Sequence, residues 1–209
     1  MSLVLIALPL QLASSWPAEQ TQSNGFALAI AIMVGMVTAL TTVGVMWARA
    51  WKSDFAFAPT HAAWMDAAIL VLIVIGLAVA GYLTYVETQA VAALCGPVGD
   101  CNAVQSSPYA KLLGVLPVGL LGMMGYAAIL VAWLWGRFRS DCLADYAPLA
   151  VQGMTVLGVL FSLYLTYLEP FVIKAVCMWC LSSAIIMTLL MLLATPPAIA
   201  SFTPATEEA

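Results

Sequence analysis

Charge is what this chain has least of. Asp, Glu, Lys and Arg make up 8% of its 209 residues, against 64% hydrophobic residues and a mean hydropathy of +1.05. Soluble domains carry roughly a quarter charged residues, so a soluble globular fold is excluded and an integral membrane protein is implied. Basic residues number only six, which leaves no electrostatic footprint for nucleic acid. The single histidine, His61, stands just ahead of an apolar run. One imidazole does not make a metal site, and it reads as an interfacial side chain. Inside the apolar runs the polar side chains are mainly Thr41, Thr42, Gln152 and Thr155, with no carboxylate. That absence argues against an ion-conducting path.

Long apolar runs take the place of charge. A hydrocarbon core needs about 20 apolar residues per helix, and five stretches qualify: Phe26–Ala48, Ala67–Val86, Val115–Trp135, Leu149–Leu168 and Val176–Ala194. Arg49 and Lys52 bound the first, Glu87 the second and Gly136-Arg137 the third. Glu169-Pro170 is expected to close the fourth and Pro196-Pro197 the fifth, because proline lacks the helical N–H donor and restricts its predecessor. The predicted fold is all-α, a four-helix transmembrane bundle preceded by one extra transmembrane helix. Its divisions are a signal-like or interfacial segment over 1–23, the extra helix and a linker over 24–65, the bundle core over 66–195, and a polar tail over 196–209. Ser2 to Ala13 is apolar enough for a signal sequence but lacks a positive flank, so both readings of that segment stand.

Alternation of the spans puts Arg49, Lys52, Arg137 and Arg139 on one side, and Lys111 and Lys174 on the other. The richer side is expected to be cytoplasmic. Four of the five cysteines then share the opposite, oxidising face, where disulfides persist. Cys142 alone falls inside and is expected to stay reduced and unpaired.

Cys177 and Cys180 form a CMWC pair at the head of the last span. On a helix, i and i+3 share one face, and a helix N-terminus favours a thiolate, so a lowered thiol pKa is expected there. Met178 and Trp179 read as packing residues. Cys95 and Cys101 bracket Gly96, Pro97 and Gly99 in a turn-rich loop. That pair can be a static staple or a shuttle exchanging electrons with CMWC. Two pairs on one small face favour the shuttle, because thiol–disulfide exchange requires sulfurs that can meet. Asn102 to Ser107 can open a short interfacial helix, with Tyr109, Leu112 and Leu113 on its apolar side. Ser107 is a possible hydrogen-bond donor to the site, and Asp100 reads as an exposed loop acid. A four-thiolate zinc site fits poorly, since the loop spacing is wide and an oxidising face works against reduced thiolates.

The chain also echoes itself. Tyr82-Leu83-Thr84-Tyr85-Val86-Glu87 returns as Tyr164-Leu165-Thr166-Tyr167-Leu168-Glu169, an offset of 82 residues that also carries Cys95 onto Cys177. This predicts two related helix hairpins, each delivering a cysteine to the same face.

CGPVGDCNAVQSSPYAKLLGVLPVGLLGMMGY, a returning helix, and CMWC opening the last span resemble the vitamin K epoxide reductase family over about residues 66–195. Another membrane disulfide oxidase family carries its CxxC before its spaced pair, the reverse order. The resemblance implies a quinone-linked thiol oxidase of the bacterial inner membrane, multi-pass, with its active site on the extracytoplasmic face. Cys177 and Cys180 correspond to the catalytic pair beside the quinone (ubiquinone or menaquinone), and Cys95 and Cys101 to the loop shuttle. Ser107 and Cys180 are the implied quinone contacts, and no metal is implied. Many bacterial members carry a fused thioredoxin-like domain. None is expected in this chain, which makes a separate thioredoxin-fold protein the implied dithiol donor. A partner thiolate would attack Cys95, Cys101 would attack Cys177, and Cys180, one turn deeper in its helix, would face the quinone. The alternatives are a quinone or quinone-epoxide reductase fed by a small dithiol, and a non-catalytic membrane scaffold.

Overall fold

The computed structural model describes the backbone of residues 4–52, 63–95, 99–112 and 115–202, with side chains from residue 25 onward except a few beside the gaps. His61, Gly96, Pro97 and Leu113 lie outside the described residues. Among those described there are seven α-helices, five of them long and apolar enough to cross a membrane.

Helix α1 (Val4–Trp51) carries the first apolar stretch, Gly25–Trp51. Helices α2 (Ala63–Gln89), α4 (Val118–Phe138), α6 (Ala147–Leu168) and α7 (Met178–Phe202) form the bundle. Their contacts run α2–α4–α6–α7 and back to α2, a closed ring, with α1 packed outside against α6 and α7. In lipid every backbone polar group needs an internal partner, which is why such apolar runs resolve as helices. Small residues then let the helices approach closely. At Gly119 an added Cβ would lie 2.7 Å from the Thr84 backbone nitrogen, so α4 begins in direct contact with the end of α2. Tyr126, 0% exposed, bonds diagonally across the ring to the carbonyl and hydroxyl of Ser183 on α7, each at 3.1 Å.

Two proline expectations need correction. Pro170 does not end its helix: the chain continues as a wider π turn over Glu169–Ile173, with the proline in the first turn where a missing N–H costs little. The turn closes at Lys174, whose φ of 63° is left-handed, and Ala175 N–H donates to the Glu169 carbonyl at 3.1 Å. Pro196 and Pro197 likewise sit inside α7, which runs to Phe202. Ala194, Thr195, Ala198 and Ile199 are all 3% exposed or less. Burial holds the segment helical although two carbonyls lose their donors. The aromatic ring of Phe202 then meets Trp47 at 5.5 Å and Trp51 at 5.6 Å, so what was expected as polar tail anchors α7 to α1.

The connections at the cysteine end are short and tied down. Helix α3 (Cys101–Gln105) is capped by Asp100, whose carboxylate accepts the Ala103 N–H at 3.0 Å. A 3-10 turn (Pro108–Ala110) follows, and then a two-residue antiparallel ladder pairing Lys111 with Pro117 and Leu112 with Leu116. Helix α4 therefore starts after Pro117 rather than at Val115. Helix α5 (Cys142–Asp145) sits at the other end, where Cys142 is an exposed free thiol.

Candidate functional site: four thiols beside a cavity

The loop that follows α2 is held on both flanks. On one, Leu94 N–H donates to the Tyr82 hydroxyl at 2.7 Å, and the Trp179 indole N–H donates to the Leu94 carbonyl at 2.8 Å. The two rings lie 4.8 Å apart at 48°. On the other, Asn102 accepts the Ala93 N–H at 2.7 Å and turns its own amide N–H toward Cys95 Sγ at 3.8 Å. Tyr82, Asn102 and Trp179 thus aim Cys95, a role their sequence positions did not reveal. The signal for Tyr82 was its place in the repeated motif. Trp179 packs, as expected, but it also donates.

A second tie draws Cys101 onto the CMWC segment. Asp100 N–H donates to the Val176 carbonyl at 2.9 Å. Gly99, at φ +84°, lies so close that a Cβ would collide with that same carbonyl. Only glycine combines the left-handed backbone with this approach. Asp100 is therefore a helix cap and a strap, not a plain loop acid.

The four sulfurs form a series. Cys95 is exposed, Cys101 and Cys177 are each 0% exposed, and Cys180 is half-buried. Side-chain contacts link Cys95 to Cys101, Cys101 to Cys177 and Cys177 to Cys180. All are free thiols in the structure. Cys177 caps α7: its carbonyl accepts the Leu181 N–H at 3.0 Å, and its Sγ accepts the Cys180 N–H at 3.4 Å.

The expected lowering of the CMWC thiol is not what this environment produces. At Cys177 the Cys101 contact favours the thiolate, but the Cys180 contact and burial outweigh it, and the thiol is pushed up. The Cys177 contact and then burial push Cys101 up as well. Burial raises Cys95, aided by Cys101. Neighbouring thiols and lost water overcome the single N–H that the helix start offers.

Beyond Cys180 opens a cavity of about 470 Å³ in the bundle, lined chiefly by apolar side chains of α2, α4, α6 and α7. Its polar lining includes Ser107, Tyr126, Ser183, Cys180 and two carboxylates, Glu87 and Glu169. Ser107 reaches the cavity wall, while its hydroxyl donates to the Val104 carbonyl at 2.7 Å. Gln105 lines it too, with its Oε1 buried and without a partner among the described residues.

The carboxylates overturn the expectation that no acid is buried in the spans. Glu169 is 2% exposed and accepts the Cys177 N–H at 3.0 Å. Glu87 accepts the Gly119 N–H at 2.9 Å. Each ends one hairpin's first helix and receives an amide from the start of that hairpin's second. Read as a boundary marker, each acid in fact turns inward, because a free N–H at the next helix start needs an acceptor and lipid supplies none.

The model of the vitamin K epoxide reductase family matches residues 67–195, the stretch that contains the ring, the cavity and all four sulfurs. The chain belongs to the vitamin K epoxide reductase family. No solved structure matches it. Family membership makes the chain a membrane oxidoreductase, and the chemistry of this family is quinone-dependent. The apolar stretch of α1, Gly25–Trp51, precedes the family region.

Proposed function

We propose that the chain is a thiol oxidase that takes electrons from an extracytoplasmic dithiol protein and delivers them to a membrane quinone, supporting disulfide formation in secreted proteins. One observation carries this reading: four sulfurs in contact, exposed at one end and opening on an apolar cavity inside the bundle at the other. Water-borne thiols meet Cys95, and a lipid-soluble acceptor meets Cys180.

The cavity suits a quinone. Its volume lies in the range of small-molecule sites, and its apolar walls carry a few polar groups that can orient a ring. Ser107 and Cys180 would contact that ring, and the unpartnered Gln105 oxygen can accept from a hydroxyl. A bound quinone supplies a sink for two electrons and two protons.

The chain's own steps begin with both pairs oxidised. A partner thiolate attacks Cys95 and breaks the Cys95–Cys101 bond. The second thiol of the partner then closes the partner's disulfide and frees Cys95. Cys101 attacks Cys177, breaks the Cys177–Cys180 bond and releases Cys180. Cys95 next attacks Cys101, which restores the loop disulfide and frees Cys177. The electron pair now rests on Cys177 and Cys180, and re-forming their bond passes it to the cavity. A thioredoxin-fold dithiol protein suits this order as donor, because Cys95 is the exposed sulfur of the series.

The test is quinol formation by purified protein supplied with ubiquinone or menaquinone and a reduced thioredoxin-fold donor. Wild type is expected to turn over, and Cys180→Ala, which leaves Cys177 no partner for the disulfide that Cys101 must attack, to lose quinone reduction while the loop pair is still reduced by the donor. A Cys180→Ala variant that reduces quinone at the wild-type rate would sink the assignment.

A further inference from the structure

Glu169 has two neighbours that matter at once. Its carboxylate holds the backbone N–H of Cys177 at 3.0 Å and lies within hydrogen-bonding reach of the Cys180 thiol. It is 2% exposed, and it lines the same cavity as Cys180. A carboxylate withdrawn from water is costly unless its site uses it. The backbone bond alone would be served equally well by a neutral amide.

We propose that Glu169 is the catalytic proton acceptor for Cys180. Resting on the quinone-oxidase reading, it specifies where the first proton goes. Joining Cys177 to Cys180 breaks two S–H bonds, forms one S–S bond and releases two electrons and two protons. The electron pair leaves to the quinone. The Cys180 proton passes to the Glu169 carboxylate and from there to the reduced ring, which also receives the proton of Cys177. Glu169 returns to its ionised form each turn, so atoms and charge balance.

Other titratable groups lie near this pair: Cys177 touches Cys180, Glu87 acts on Cys180 across the cavity, and the others stand further off. The set is Cys177 on α7, Cys101 on α3, Glu87 on α2 and Tyr126 on α4, with Lys174 on the exposed turn between Glu169 and Cys177. Lys111 acts on Glu87 from the short ladder. None of these is a carboxylate in hydrogen-bonding reach of Cys180, as Glu169 is, so Glu169 is the group that a substitution should isolate.

Glu169→Gln keeps an oxygen for the Cys177 N–H and removes the proton acceptor. The readout is alkylation of Cys180 by a small apolar reagent in fully reduced, quinone-free protein, followed by mass spectrometry across a pH series. Proton acceptance predicts that Glu169→Gln slows Cys180 alkylation at neutral pH by about 100-fold, with recovery toward alkaline pH. A purely structural carboxylate predicts the opposite sign. Removing a negative neighbour would ease thiolate formation and speed the reaction. Faster alkylation, an unchanged profile, or an equal loss at every pH would each overturn the proposal. Exchange between Cys101 and Cys177 in the same variant is expected to persist, which reports that the site is intact. If Glu169→Gln does not fold, the wild-type profile decides: a Cys180 that reacts only in the alkaline range of an ordinary thiol overturns the proposal. The alkylation needs no quinone, so a wild type that passes it yet reduces no quinone defeats the oxidase reading and leaves the proton assignment standing.

Discussion

Cys101 and Cys177 touch each other with 0% of either residue exposed, and that burial sets their pH behaviour. Each thiol is pushed above its ordinary range, so little thiolate exists at neutral pH and the attacking species grows as pH rises. The contact with the Cys177 thiol is gone once that sulfur is in a disulfide, but burial remains, so attack by reduced Cys101 on an oxidised Cys177–Cys180 pair is expected to quicken by roughly tenfold per pH unit. It should pass about pH 8.5, where an unperturbed cysteine is half ionised, without levelling. Rapid acid quench followed by alkylation measures this, and a plateau below that pH would contradict it. Spacing in the sequence singled out the four cysteines, and the structure brings them into contact. Glu87 and Glu169 were misread, since an acid at the end of an apolar run looks the same whether it faces headgroups or folds inward. The difference lies in an N–H donated from 32 residues away for Glu87 and 8 for Glu169, which no local pattern announces.

At the level of helices, the 82-residue echo was readable, and its physical content is the matching acid-to-amide cap at the start of α4 and α7. Its symmetry is broken where function needs it. Tyr82 is half-buried and holds Leu94, whereas its counterpart Tyr164 is exposed. The five spans were legible from length and apolarity, but proline misled at both helix ends, because tertiary burial overrides a local helix breaker. Phe202 tests that override. Its contacts with Trp47 and Trp51 are aromatic pairs worth about 0.5–1.5 kcal/mol each beyond simple burial. Phe202→Ala is expected to lower Tm by about 2–4 °C for each kcal/mol lost, measured by thermal melting in detergent. Thiol exchange at the far end of the bundle should be unaffected. A variant that melts normally would mean that α1 is held elsewhere.

Over the whole molecule, the bundle has a cysteine end and an arginine end. Arg137 and Asp66 approach to 3.8 Å at the latter, both partly exposed, and Arg139 lies 5.0 Å from the Trp135 ring centre. Such surface contacts add little stability, and their value is directional. If the arginine end is cytoplasmic, a membrane-impermeant maleimide applied from outside after reduction of the loop pair will label Cys95 and spare Cys142 until the membrane is permeabilised. Labelling in the reverse order would invert the topology.

The concealment of the two middle sulfurs has one more consequence, for oxidative damage. A peroxide arriving from water meets first the exposed sulfur of the series, Cys95. A sulfenic acid formed there meets Cys101 at once and condenses with it to the very disulfide the resting cycle contains. Peroxide injury at the mouth of the series is thus converted into an ordinary working state, and the buried Cys101 and Cys177 are kept out of its reach.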